Sequence, residues 1–108
     1  MTYAKTQIFD TELQDLAAFA KALSHPARLM ILRFLSEREQ CFSGDISDEV
    51  PLSRTTVSQH LRELKKVGLI QGTVEGTRIC YCIDPEVFQS CARLFGNFLD
   101  ETKPSACC

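Results

Sequence analysis

Residues 53–70 read Ser-Arg-Thr-Thr-Val-Ser-Gln-His-Leu-Arg-Glu-Leu-Lys-Lys-Val-Gly-Leu-Ile. At 3.6 residues per turn, Val57, Leu61 and Leu64 fall on one side of a helix, and Thr55, Gln59, Arg62 and Lys66 line the other. The apolar stripe can seat the helix on a core. The opposite face carries a hydroxyl and an amide able to bond base edges, and cations suited to guanine or phosphate oxygens. Ser53, Arg54, Thr56, Ser58 and Lys65 lie on or beside that face and complete the expected DNA contacts, with Arg78 further along the chain directed at the backbone. An ordinary amphipathic surface helix fits the segment equally well when it is taken alone, so its surroundings must decide.

The second chemistry is sulfur. Six cysteines, Cys41, Cys80, Cys82, Cys91, Cys107 and Cys108, are many for 108 residues. Converging thiolates select soft ions such as trivalent arsenic or antimony, or cuprous copper. Cys107 and Cys108 form an adjacent pair on a terminal tail, and Cys91 or Cys41 could supply a third sulfur from the same chain or a second subunit. Cys80 and Cys82 alternate about Tyr81 and project from one strand face, about 7 Å apart at the backbone. They form an alternative site, with Cys41 to join them if the tail is not used, or else small apolar residues filling a hairpin's inner face. The same thiols could instead close disulfides under oxidants or reactive sulfur species, a switch without metal. The sequence has no Cys-x-x-Cys, no base beside a cysteine and no glycine-rich phosphate loop, so a thiol enzyme or metal carrier is not expected.

These groups need a scaffold, and the length suits one domain over residues 1–108 with a thin core that favours pairing. Net charge is −2, yet residues 53–78 hold five Lys/Arg against Glu63 and Glu75, so a positive field is local to the reading surface. No long apolar run and no export signal is present, which predicts a cytoplasmic protein without a membrane partner and makes a secreted disulfide framework a poor fit.

Residues 1–9 read as an arm and residues 102–108 as a cysteine-bearing tail. Thr11 and Gln14 have capping-box spacing, and Leu13, Leu16, Ala17, Ala20 and Leu23 recur at helical intervals. Pro26 restarts the chain into a second helix, apolar nearly all round through Leu29, Met30, Ile31, Leu32, Phe34 and Leu35. Ile46 and Val50 mark a short third helix that ends at Pro51, and a tight junction leads to the N-cap Ser53. Short helix, tight turn and longer helix make a helix-turn-helix. Gly68 closes the reading helix, 69–74 and 78–83 form a hairpin, and Asp84-Pro85 opens a last helix carrying Val87, Phe88, Cys91, Leu94, Phe95, Phe98 and Leu99. The expectation is a mainly α winged helix-turn-helix of five helices and two strands, dimerising through its first and last helices.

In this order of elements the chain resembles the ArsR/SmtB family of small winged-helix repressors. The resemblance extends from about Leu13 to Phe98 and rests on Ala22-Leu-Ser-His-Pro-Ala-Arg-Leu-Met-Ile-Leu32, Asp45-Ile46, Leu52-Ser-Arg-Thr-Thr-Val-Ser-Gln-His-Leu61 with Leu64, and Gly68-Leu-Ile70, followed by Gly76, Arg78 and Tyr81. It implies a homodimeric repressor of double-stranded operator DNA whose inducer, a metal or metalloid in many members, lowers DNA affinity. Arsenite- and antimonite-sensing members often carry Cys-x-Cys-Asp-Leu at the third helix, where this chain has Phe42-Ser43-Gly44-Asp45-Ile46 with Cys41 just before the box. Zinc-sensing members place Asp, His and Glu on the last helix. His25 and His60 are both elsewhere and read as structural.

Overall fold

The computed structural model of the protein describes residues 9–105, so residues 1–8 of the expected arm and the Cys107–Cys108 pair lie outside the described residues. The first helix, α1, runs Thr11–Ala22. Its cap lies one residue before the expected Thr11: the Asp10 carboxylate accepts the Leu13 N–H at 2.8 Å. The Gln14 amide reaches back and donates to the Phe9 carbonyl at 2.7 Å. A carboxylate caps as well as a hydroxyl, and the chain uses the earlier of two adjacent candidates.

The second helix, α2, spans Pro26–Ser36 with the proline in its first turn, where the missing N–H is not needed. It buries Ile31, Leu32 and Leu35 but leaves Leu29 and Met30 nearly half exposed, so it is a core helix on one side rather than all round. The expected third helix shrinks to a single 3₁₀ turn, Ile46–Asp48, which leaves four α-helices among the described residues instead of five. The cause is local. The Asp45 carboxylate accepts from both the Ser47 N–H at 2.9 Å and the Ser47 hydroxyl at 2.6 Å, a two-residue pattern that competes with helical bonding. Pro51 then blocks extension. Ile46 and Val50 still anchor the turn in the core.

The reading helix, α3, covers Arg54–Lys66, and the Ser53 hydroxyl accepts the Thr56 N–H at 3.3 Å. Val57, Leu61 and Leu64 are all buried against Ile31, Leu32 and Leu35 of α2 and Phe19 and Ala22 of α1, in one cluster. Burying each such side chain stabilises by about 1.5–3 kcal/mol, enough to fix how α3 is presented. Gly68 follows at φ 83, a conformation that favours glycine and turns the chain sharply into the wing.

Strands β1, Ile70–Glu75, and β2, Arg78–Ile83, pair antiparallel with Glu75 opposite Arg78. The loop is therefore Gly76-Thr77, and Gly76 at φ 63 supplies the left-handed backbone a tight hairpin turn requires. One further bridge ties this hairpin to the rest: Phe42 and Tyr81 exchange both backbone hydrogen bonds, at 2.8 and 2.9 Å. The last helix, α4, is Pro85–Glu101, its N-terminus held by the Asp84 carboxylate. It packs on α1 and buries Cys91.

Candidate nucleic-acid interface and thiol cluster

The outward side of α3 has the character its spacing predicts. Arg54, Thr55, Ser58, Gln59, Arg62, Lys65 and Lys66 are exposed, as is Ser53, while Thr56 is half-buried because it pairs with the cap: the Ser53 hydroxyl donates to its Oγ1 at 3.0 Å. Ser58, Leu61, Arg62, Lys65 and Tyr81 line a cleft between α3 and the hairpin, so the helix and the wing present one continuous surface. Arg78 is exposed at the wing's tip.

The cations on this surface are not equivalent. Arg54 is bound to Asp45 through its Nε at 2.6 Å, and Lys66 meets Glu63 at 3.3 Å. Among the described residues, Arg62, Lys65 and Arg78 are in no ion pair. The hydroxyl and N–H of Ser47, and then Arg54, hold the Asp45 carboxyl below its ordinary pKa. Asp45 is thus both the cap of the 3₁₀ turn and the brace of Arg54 at the start of α3. The sequence reading missed that role, because nothing local connects residues nine apart across a turn.

His60 is buried at the edge of α3's apolar stripe and accepts a hydrogen bond at Nδ1 from Arg28 Nε at 3.0 Å. The same guanidinium donates to the carbonyls of Lys21 and Ala22, so it ties the end of α1 to α3. Burial, followed by the charges of Arg28 and His25, holds His60 below the ordinary imidazole pKa. His25 stacks on it at 4.8 Å with tilted rings. This is a neutral structural histidine. Arg28 is its unanticipated partner.

The thiols divide into two places. Cys91 is buried in α4, and burial pushes its pKa up. Cys41, Cys80 and Cys82 lie together. Burial, then the neighbouring Cys41 thiol, pushes Cys80 up to about 11. For Cys82 the Cys41 thiol, as a hydrogen-bonding neighbour, comes first and burial second, again to about 11. Cys41 is exposed, Cys82 half-buried and Cys80 buried. Among the described residues no group of three or more His, Cys, Asp or Glu is ready-made to hold a metal ion. No described helix is long and apolar enough to cross a membrane.

Comparison with known proteins sets these features in a wider group. Residues 25–71 match the family described as bacterial regulatory protein, arsR family. The HTH-type transcriptional regulator YgaV of Escherichia coli K12 is 38% identical over 73 residues, which is 68% of this chain and 74% of that protein. The cadmium resistance transcriptional regulatory protein CadC of Listeria innocua is 29% identical over 98 residues, 91% of this chain and 82% of that one. Among solved structures, an ArsR-like transcriptional regulator from Rhodococcus sp. RHA1 superimposes with a TM-score of 0.70 at 27% identity, covering 82% of this chain and 83% of its own.

Proposed function

Because this chain belongs to the ArsR family of bacterial regulatory proteins, DNA-binding transcription regulators rather than enzymes, we propose that it works in the cytoplasm as a homodimeric repressor released from its operator by a thiophilic ion. The observation that carries the DNA-binding part is the exposed row Thr55, Gln59, Arg62 and Lys66 beside a wing ending in Arg78. In this reading α3 enters the major groove, where Gln59 and Arg62 face base edges. Thr55 adds a hydroxyl able to bond a base edge, and Ser53, Arg54, Thr56, Ser58, Lys65, Lys66 and Arg78 position the protein on backbone and phosphate contacts. The whole chain acts as one winged-helix unit, with residues 1–9 as its arm and residues 102–108 as its tail.

Two copies pair through α1 and α4. Phe88, Phe98 and Leu99 of α4 and Leu13 of α1 stand exposed on these helices, a surface that a second copy would cover and that would match a palindromic operator. The inducer is a soft ion such as As(III) or Sb(III), taken by some of Cys41, Cys80, Cys82, Cys91, Cys107 and Cys108. Support comes from the thiol chemistry and from CadC, which is named for resistance to cadmium, also a soft ion.

The test is a gel shift on DNA from upstream of the protein's own gene. The wild type should bind and be released by arsenite or antimonite. Arg62→Ala should cost about 1–3 kcal/mol of operator affinity and relax preference at one position per half-site. An equal loss on every sequence would place Arg62 on phosphate alone.

A further inference from the structure

Phe42 and Tyr81 donate to each other's carbonyls at 2.8 and 2.9 Å, which makes them a hydrogen-bonded pair of an antiparallel bridge. The next pair along is then Cys41 opposite Cys82, in the non-hydrogen-bonded position, where backbones approach to about 4.5 Å and side chains share a face. Alternation along β2 puts Cys80 on the same face as Cys82, diagonally across from Cys41. Three thiols from two distant segments therefore project to one side.

We propose that Cys41, Cys80 and Cys82 form a three-sulfur site for a trivalent thiophilic ion, which loosens the DNA-reading surface when it binds. The proposal rests on the release reading above and names where the ion acts. Cys41 is the common neighbour of Cys80 and Cys82, but the three sulfurs are not ready-made around one centre, so binding has to draw them together across the seam between Cys41 and β2. The reaction balances without an oxidant or reductant. As(OH)3 exchanges three hydroxides for three sulfurs, each As–O bond is replaced by As–S, and each thiol proton leaves with a hydroxide as water. Of the carboxylates that act on these thiols, Glu75 lies towards Cys80 and Asp84 towards Cys82, and Asp84 is engaged by the N–H groups of Glu86 and Val87 and by the Gln71 amide at 2.7 Å, as the α4 cap.

Position makes this site a lever. Immediately after Cys41, Phe42 packs edge-on against Phe34 at 4.9 Å, with Arg38 also over the Phe34 ring. Three residues beyond Phe42, Asp45 holds Arg54 at the start of α3. In the other direction β2 leads from Cys80 to Arg78 at the wing tip. Moving Cys41 against β2 thus disturbs both ends of the reading surface, the unequal affinity of two states that induction needs.

The test uses the full chain with arsenite as probe, and compares wild type, Cys41→Ser, Cys82→Ser and a truncation after Lys103. Readouts are release from DNA, near-ultraviolet absorbance from arsenic–sulfur bonding, and thiols still reactive after arsenite. Three thiols should be lost per chain in the wild type and in the truncation. Cys41→Ser and Cys82→Ser should bind the operator normally yet need about tenfold more arsenite for half-release. Cys41 is exposed, so its substitution tests the site even if the Cys82 variant folds poorly. Full sensitivity in Cys41→Ser, or loss of response on truncation alone, would overturn the site. A wild type that protects three thiols dependent on Cys41 but stays on DNA would keep the site and overturn the release reading instead.

Discussion

Helices α3 and α4 are both strongly amphipathic, but they end up in opposite circumstances. The stripe of α3 is satisfied within the chain: Val57, Leu61 and Leu64 are buried, Leu64 completely at 0% exposure. The stripe of α4 buries Cys91 and leaves Phe88, Phe98 and Leu99 out, Leu99 at 67% exposure. Equal amphipathicity in sequence therefore records two different debts, one settled by folding and one left for association. It also divides labour, since a helix seated by its own core can present a stiff polar face, whereas the other leaves an apolar face that the proposed second copy would cover.

The comparison can be broken most sharply at Leu64. Leu64→Ala should destabilise the fold by about 2–5 kcal/mol in urea unfolding, while Leu99→Ala should barely change the unfolding of a dissociated chain. Comparable losses at both would mean that α4 is as much a part of the chain's own core as α3. Association comes next. Replacing Phe95 and Phe98 together with Glu should yield monomers in sedimentation and weaken operator binding, and unchanged dimers would remove α4 from the interface.

The smallest effect sharpens the edge of the α3 stripe, at its one buried polar residue. His60 is held neutral, with a folded pKa below its unfolded value, so the unfolded chain takes up more protons as the medium is acidified. Its contribution to stability is complete above the ordinary imidazole range and is lost as pH falls through and below it. Urea midpoints measured down that range should fall for the wild type. In His60→Asn, which keeps an acceptor for Arg28 without the titrating ring, the decline should be shallower, and parallel declines would place the pH response elsewhere.

Much of this was legible from local pattern. Ser53 as cap, Pro26 in a first turn, Gly68 at positive φ and the hairpin about Gly76 each follow from one residue's backbone preference, and each is found. The errors were also local competitions. Asp10 outcompeted Thr11 as a cap, and the carboxylate of Asp45 bound Ser47 and collapsed a helix into a turn. What periodicity could not supply was long-range register. Cys80 and Cys82 share a strand face by spacing alone, but the place of Cys41 opposite Cys82 follows from the Phe42–Tyr81 bridge, which no window of neighbouring residues contains. The brace between Asp45 and Arg54 was hidden for the same reason.

That brace alters how salt should act on the protein. An arginine that meets DNA already holding an internal carboxylate does not count as a whole positive charge in displacing condensed cations from the duplex. In the proposed complex, added salt would weaken the grip of Arg54 on phosphate, but it also screens the 2.6 Å attachment to Asp45 that competes with it. The two dependences oppose each other, so operator affinity should decline with ionic strength less steeply than the number of cations on the surface implies. Asp45 thereby acts as a built-in counterion for the arginine beside it.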